Sequence, residues 1–137
     1  MLVQSYLFFD GRCEEAIDFY RGALDADLQM LLRYKDNPEP EKTGGIRPGT
    51  GDKVMHAQLR IGETIIMASD GHCTGNPTFQ GSALALTVAT EAEAEQRFAA
   101  LADGGQVSMP LAKTFFSPRF GMVSDRFGVQ WMVLVAH

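Results

Sequence analysis

The sequence predicts an α+β fold built from one βαβββ pattern used twice. Three observations carry this. The predicted elements run strand, helix, three strands, and then repeat in the same order. Val54-Met55-His56, through Gly62 to Met67, aligns without gaps on Phe120-Gly121-Met122, through Gly128 to Val133. Both glycines then fall at hairpin turns. Finally, 137 residues with 45% hydrophobic and 21% charged content suffice for one domain with its own core. A single domain over residues 1–137 is expected, with module one about 1–75 and module two about 76–137.

Each element has a local reason. Leu2 to Phe9 (LVQSYLFF) is aliphatic and aromatic with few polar breaks, which reads as a buried strand. Asp10-Gly11 breaks it, and Asp10 is placed to cap the next helix. From Arg12 to Leu24, Cys13, Ala16, Ile17, Tyr20, Ala23 and Leu24 recur at helical spacing, with Glu14, Glu15, Asp18 and Arg21 opposite. Leu28 to Tyr34 is short and apolar, so a strand. Lys35 to Lys53, with Pro38, Pro40, Pro48 and several glycines, reads as a long loop. Val54 to Ile61 alternates, with His56, Gln58 and Arg60 on one face and Ala57, Leu59 and Ile61 on the other. Gly62-Glu63 marks a hairpin and Thr64 to Ser69 the return strand. Asp70 to Gln80 is a second loop.

The second module follows the same plan. Ser82 to Ala89 is a strand that separates Leu84, Leu86 and Val88 from Ala83, Ala85 and Thr87. Thr90 to Glu93 forms a capping box for a helix to about Ala102, ended by Gly104-Gly105. Val107 to Leu111 is a short strand stopped by Pro110, and Lys113 to Pro118 a loop. Arg119 to Arg126 and Val129 to Val135 make a last hairpin.

Composition also excludes function classes. A net charge of −5 and a pI of about 5.1 argue against a nucleic-acid binder, which needs a basic face. No run of 18 apolar residues exists, so no transmembrane helix and no membrane partner are expected. The N-terminus lacks a basic, then apolar, signal pattern, which points to the cytoplasm. Cys13 and Cys73 stand in no CxxC motif, so neither a redox pair nor a zinc site is indicated.

Three segments resemble a known family. YLFFDGRCEEAIDFY, DKVMHAQLRIGETIIMASDG and PLAKTFFSPRFGMVSDRFGVQWMV resemble the PhnB-like branch of the vicinal oxygen chelate superfamily. That superfamily includes glyoxalase I, bleomycin-resistance proteins and extradiol dioxygenases. The resemblance spans essentially the whole chain. It implies two modules whose mixed sheets roll into a cup, with helices outside, and a homodimer. In metal-dependent relatives, four inward side chains from the first and last strand of each module hold a divalent ion. Those positions carry over to Ser5, Ile66 (or Met67, with a slip of one), Ala83 and Met132. None is a histidine or carboxylate, so no metal ligand is assigned and no cofactor is expected. A substitute divalent site from His56, Asp70, His72 and Cys73 stays open. Names in this branch mention a demethylubiquinone methyltransferase. This chain has no Gly-rich strand-to-helix turn and no doubly wound βαβ series of that kind.

The carried-over positions also set which side chains face the cup. Ser5, Leu7, Thr64, Ile66 and Asp70 are expected inward from the first module, together with His56 and Gln58. The second module contributes Ala83, Ala85, Thr87, Gln130 and Met132, while Trp131 packs outward. This is an apolar concavity with a few polar groups, the profile of a small-molecule site. His56 is the most chemically capable member, as a general base with Asp70 as its carboxylate partner, or as a structural histidine. Lys113, Phe115, Phe116 and Arg119 form a second cluster. They either clamp a flat anionic molecule at the rim or fill core and dimer interface.

The leading expectation is a cytoplasmic homodimer that binds a small apolar or aromatic molecule in its cup without metal. One alternative is an enzyme, either metal-independent through His56 and Asp70 or metal-dependent at a different ligand set that uses His56. Another is a ligand-free dimeric interaction module.

Overall fold

A computed structural model describes residues 1–42, 48–71, 73 and 76–136. The chain forms two compact units, Met1–Pro77 and Thr78–His137. In the first, β1 (Tyr6–Phe8) leads to α1 (Cys13–Leu24), β2 (Asp27–Arg33), β3 (Val54–Ile61) and β4 (Thr64–Ser69). The sheet order is β1-β4-β3-β2, with β1 parallel to β4 and the other pairs antiparallel. In the second, β5 (Leu84–Val88) leads to α2 (Glu91–Ala102), β6 (Gln106–Ala112), β7 (Phe120–Ser124) and β8 (Gln130–Val135). Its order is β5-β8-β7-β6, again with only the first and last strands parallel. The expected βαβββ order therefore occurs twice, as two helices and two mixed four-stranded sheets.

In each unit the helix covers one face of the sheet. Phe9 packs on Tyr20 of α1, ring centres 6.1 Å apart. On the same side Ala57, Leu59, Ile66 and Ala68 are buried with Ala16, Ile17 and Leu24. Tyr6, His56, Gln58 and Met67 alternate onto the opposite, open face. In the second unit Gly121 faces α2 so closely that an added Cβ would lie 2.8 Å from Phe98. Val123, Trp131, Val133 and Val135 share that buried side. Ala85, Thr87, Gln130, Met132 and Leu134 take the open side, as the alternation predicts.

The expectation for β4 was displaced by one residue. Ile66 pairs with Leu59 on the α1 side and is buried, whereas Met67 pairs with Gln58 on the open side. The cause is hairpin length. Ile61 pairs with Thr64 across a two-residue loop, whereas Ser124 pairs with Gln130 across five residues. Superposing Gly62 on Gly128 ignores that difference, and a slip of one residue exchanges the faces of a strand.

Other differences are local. The first strand begins at Tyr6, and Leu2 and Val3 before it stay exposed. Two single-turn 3-10 segments, Tyr34–Asp36 and Pro40–Lys42, interrupt the long loop. Pro110 does not stop its strand. It lies in the edge strand β6, between Met109 and Ala112, where the register shifts and no ladder N–H is required. Thr90 caps α2 as expected, its hydroxyl accepting from Glu93 N–H at 3.1 Å. Beyond α2, a Cβ on Gly105 would run into the Ser124 carbonyl, so only glycine fits.

The start of α1 is held from a distance. Its N-cap residue Arg12 makes no side-chain cap, and Asp10 accepts instead from Asn76 N–H at 3.2 Å. Asp70 takes over the role. One of its carboxylate oxygens accepts from Gly11 N–H at 2.9 Å and Cys13 N–H at 2.8 Å; the other accepts from Val54 N–H at 2.7 Å. Asp70 is buried at 1% exposure, so its removal strands three amides. Asp70→Ala is expected to destabilise the protein by about 3 kcal/mol or more in urea unfolding. A loss below about 1 kcal/mol would show that the three bonds are not limiting.

Candidate functional site

The open face of the first sheet carries a line of polar groups. Tyr6 on β1 and Gln58 on β3 both pair with Met67 on the intervening β4, and His56 lies two residues before Gln58. The Tyr6 hydroxyl meets His56 Nδ1 at 2.8 Å. The Gln58 amide nitrogen lies 3.3 Å from His56 Nε2. Phe8 flanks the line, 55% exposed, with its ring nearly parallel to Tyr6 at 5.0 Å. Tyr34 donates to the Gly71 carbonyl at 2.7 Å. Burial raises the Tyr6 phenol above its ordinary range, and Cys13 adds to this while Ser69 partly offsets it. Burial also raises Tyr34. Both phenols therefore hold their protons at neutral pH.

His56 and Gln58 thus stand where the sequence places them. Asp70 does not reach His56, because its carboxylate is spent on three backbone amides. The side-chain hydrogen-bond partner of His56 on this face is Tyr6 instead. Nearby, burial and then Asp70 push the Cys13 thiol far above its ordinary range, so it is no nucleophile. Ile66 lies on the α1 side. Ser5, just before β1, contributes its carbonyl to Met67 N–H at 3.0 Å and has the alternation of Leu7 rather than Tyr6.

The metal question turns on donor chemistry. Of the substitute set, His72 lies outside the described residues, and Cys73 donates to the Gly71 carbonyl at 3.7 Å. Among the described residues no three histidines, cysteines or carboxylates gather where they could share an ion. On the open faces, the first and last strands carry Tyr6, Met67, Ala85 and Met132. In neither unit do these open positions offer a histidine or carboxylate, the donors that suit a divalent ion.

The second unit has a concavity of about 270 Å³ on its sheet, lined by Ser108, Met122, Ser124 and Gln130, with edges of Val123 and Trp131. Ser108 is engaged, donating to the Met122 carbonyl at 3.2 Å. The side chains of Ser124 and Gln130 have no hydrogen bond among the described residues. Trp131 lies on the α2 side, away from the open face, as expected, its indole N–H donating to Asp125 at 2.9 Å. Met132 pairs with Met122 on the open face, and Ala83 is exposed just before β5.

The rim cluster divides. Phe115 is 97% exposed and meets Phe116 edge-on at 5.1 Å; Phe116 in turn meets Phe120 at 5.0 Å. Arg119 turns away toward α2, 3.2 Å from Glu95 and 3.4 Å from Glu91. Those two acids lie one turn apart on α2 and neutralise the charge that an anion clamp would use. Sequence reasoning missed Tyr6, Phe8, Met122 and Ser124. In LVQSYLFF each alternating set is mostly apolar or aromatic and holds one polar residue, Gln4 in one and Ser5 in the other, so period two did not fix the face.

Comparison with known proteins gives a family. A family model described as 3-demethylubiquinone-9 3-methyltransferase matches residues 2–134. The structure of protein PA1353 from Pseudomonas aeruginosa is 40% identical at a TM-score of 0.85, covering 99% of this chain and 98% of that one. A PhnB protein from Bacillus cereus is 30% identical at a TM-score of 0.81, covering 99% and 100%. A glyoxylase/bleomycin resistance protein/dioxygenase domain from Frankia sp. EAN1pec shares the fold, with a TM-score of 0.64 at 14% identity, over 98% and 94%.

Proposed function

We propose that this chain, which belongs to the PhnB-like family of the vicinal oxygen chelate superfamily, binds a small apolar or aromatic molecule without a metal ion. The observation that carries the proposal is the concavity of the second unit. Its walls are largely apolar, while the side chains of Ser124 and Gln130 lack partners among the described residues. Accessible polar groups beside an apolar hollow give a ligand directional hydrogen bonds to make. About 270 Å³ lies at the small end of ligand sites and suits a single-ring molecule.

A panel of single-ring aromatic acids, amides and ketones tests this by thermal unfolding. At a hundredfold excess over Kd, a bound member is expected to raise Tm by on the order of 8 °C. Gln130→Ala is expected to weaken that ligand by roughly tenfold, and chelator treatment is expected to leave the shift intact. A panel without effect overturns the binding reading. A shift that vanishes with chelator overturns its metal-free part.

The second reading is an acid–base enzyme centred on His56, favoured by the Tyr6 hydroxyl that orients its ring. Given a ligand that turns over, His56→Ala is expected to slow turnover by about a hundredfold or more. Unchanged turnover rejects the enzyme reading.

The homodimer belongs to the same proposal and draws on exposed apolar side chains. Phe115 and Phe116 of the second unit are exposed and in ring contact, and exposed apolar groups of this kind mark contact surfaces. Light scattering is expected to give twice the 15.0 kDa chain mass. Phe115→Ser is expected to shift the protein toward monomer, and a native protein that is monomeric at all concentrations excludes the dimer.

A further inference from the structure

We propose that the hollow on the second sheet selects a neutral molecule carrying a cyclic amide, whose adjacent N–H and C=O pair with the Gln130 side chain while its ring lies against Met122. This rests on the small-molecule reading and names the chemical class for that site.

Strand pairing places the groups. Asp125 N–H donates to the Val129 carbonyl at 2.9 Å, and Val135 N–H donates to the Arg119 carbonyl at 3.0 Å. These two bonds set the alternation of the β7–β8 ladder. Between them, Ser124 opposite Gln130 and Met122 opposite Met132 are non-hydrogen-bonded pairs, whose side chains stand closest together. Both pairs lie on the open face. A hydroxyl and a carboxamide therefore stand side by side, with two thioethers one step along the strands. Met122, Ser124 and Gln130 all line the hollow of about 270 Å³.

The chemistry of these groups chooses the ligand. A carboxamide holds a donor and an acceptor in one plane, whichever way it is turned. Its match is a group with the same two functions on one edge, a cis amide such as a lactam. A ketone or ester uses the Gln130 N–H and leaves the Gln130 oxygen without a donor. Neither Ser124 nor Gln130 is held by another side chain among the described residues, so both are free to turn to a ligand. Charge narrows the class further. Among the described residues no charged side chain lines the hollow. Asp125, next to Ser124, is buried and accepts from Phe127 N–H, Val129 N–H and the Trp131 indole. Arg126 is paired with Asp103 at 3.2 Å. An anion would enter with no cation to meet it, so the ligand is neutral.

The test uses the whole chain with isoindolinone and phthalide, which share ring and size and differ only in a lactam N–H against a lactone oxygen. Binding is followed by NMR at the Met122 methyl. Isoindolinone is expected to bind about tenfold tighter than phthalide, and tighter than benzoate, an anion of similar size. Gln130→Met keeps the reach of the side chain without its amide, and is expected to erase the preference for isoindolinone in a folded protein. Ser124→Ala is expected to weaken both probes and keep the preference. Four results overturn the assignment: equal affinity for the two probes, a preference retained in Gln130→Met, benzoate bound most tightly, or isoindolinone bound without a shift at Met122. Each of them leaves the small-molecule reading standing. If isoindolinone fails to bind while other members of the aromatic panel succeed, the cyclic-amide class falls alone. A failure of every molecule to bind removes the broader reading as well.

Discussion

A single buried carboxylate organises the first unit. Asp70 follows the last strand, yet its oxygens accept from the turn before α1, from the first residue of α1 and from the first residue of β3. It supplies the negative charge that a helix N-terminus favours, where Arg12 provides no cap of its own. It also fixes where β3 starts relative to α1, and thereby which residues of β3 lie under the helix. The second unit solves the same problem with local chemistry. Thr90 caps α2 from within its own segment, and Asp125 braces the final hairpin through Phe127 N–H, Val129 N–H and the Trp131 indole.

Once the helix has one face of each sheet, alternation assigns everything else. The residues under α1 are small or aliphatic and closely packed. The other face cannot be a second core of the same unit, because no helix covers it. What remains there is mixed: thioethers, aromatic rings and a few amides, hydroxyls and one imidazole. Such a surface combines large apolar area with hydrogen-bonding groups that are costly to leave unmet away from water. That combination, rather than any single reactive residue, is what supports placing the proposed ligand on an open face.

The chemistry of those faces follows from which donors they lack as much as from those they have. Tyr6, Met67, Ala85 and Met132 occupy the open positions of the first and last strands. A fold widely used to hold a divalent ion thus presents a phenol, sulfurs and a methyl. Its polar capacity lies in directional hydrogen bonds, in the Tyr6–His56–Gln58 line and at Ser124 and Gln130. Arg119, one of the two cations of the rim cluster, is held by Glu91 and Glu95.

Period, composition and turn residues determined much of the architecture by themselves. The order of elements, the capping of α2 and the sides of β5 and β8 were all legible, because each is settled by residues adjacent in sequence. The alternation of Val54 to Ile61 likewise placed His56 and Gln58 opposite Leu59. What sequence did not carry was anything set by pairing across the chain. The register of β4 depends on a hairpin two residues long where its counterpart has five, and one residue of slip moved Ile66 under the helix. The role of Asp70 depends on amides more than fifty residues away. In Tyr6 and Phe8, both faces of an apolar strand looked alike until β4 paired with it. Short-range periodicity fixes what an element is; only the hydrogen-bonded partner fixes which way it faces.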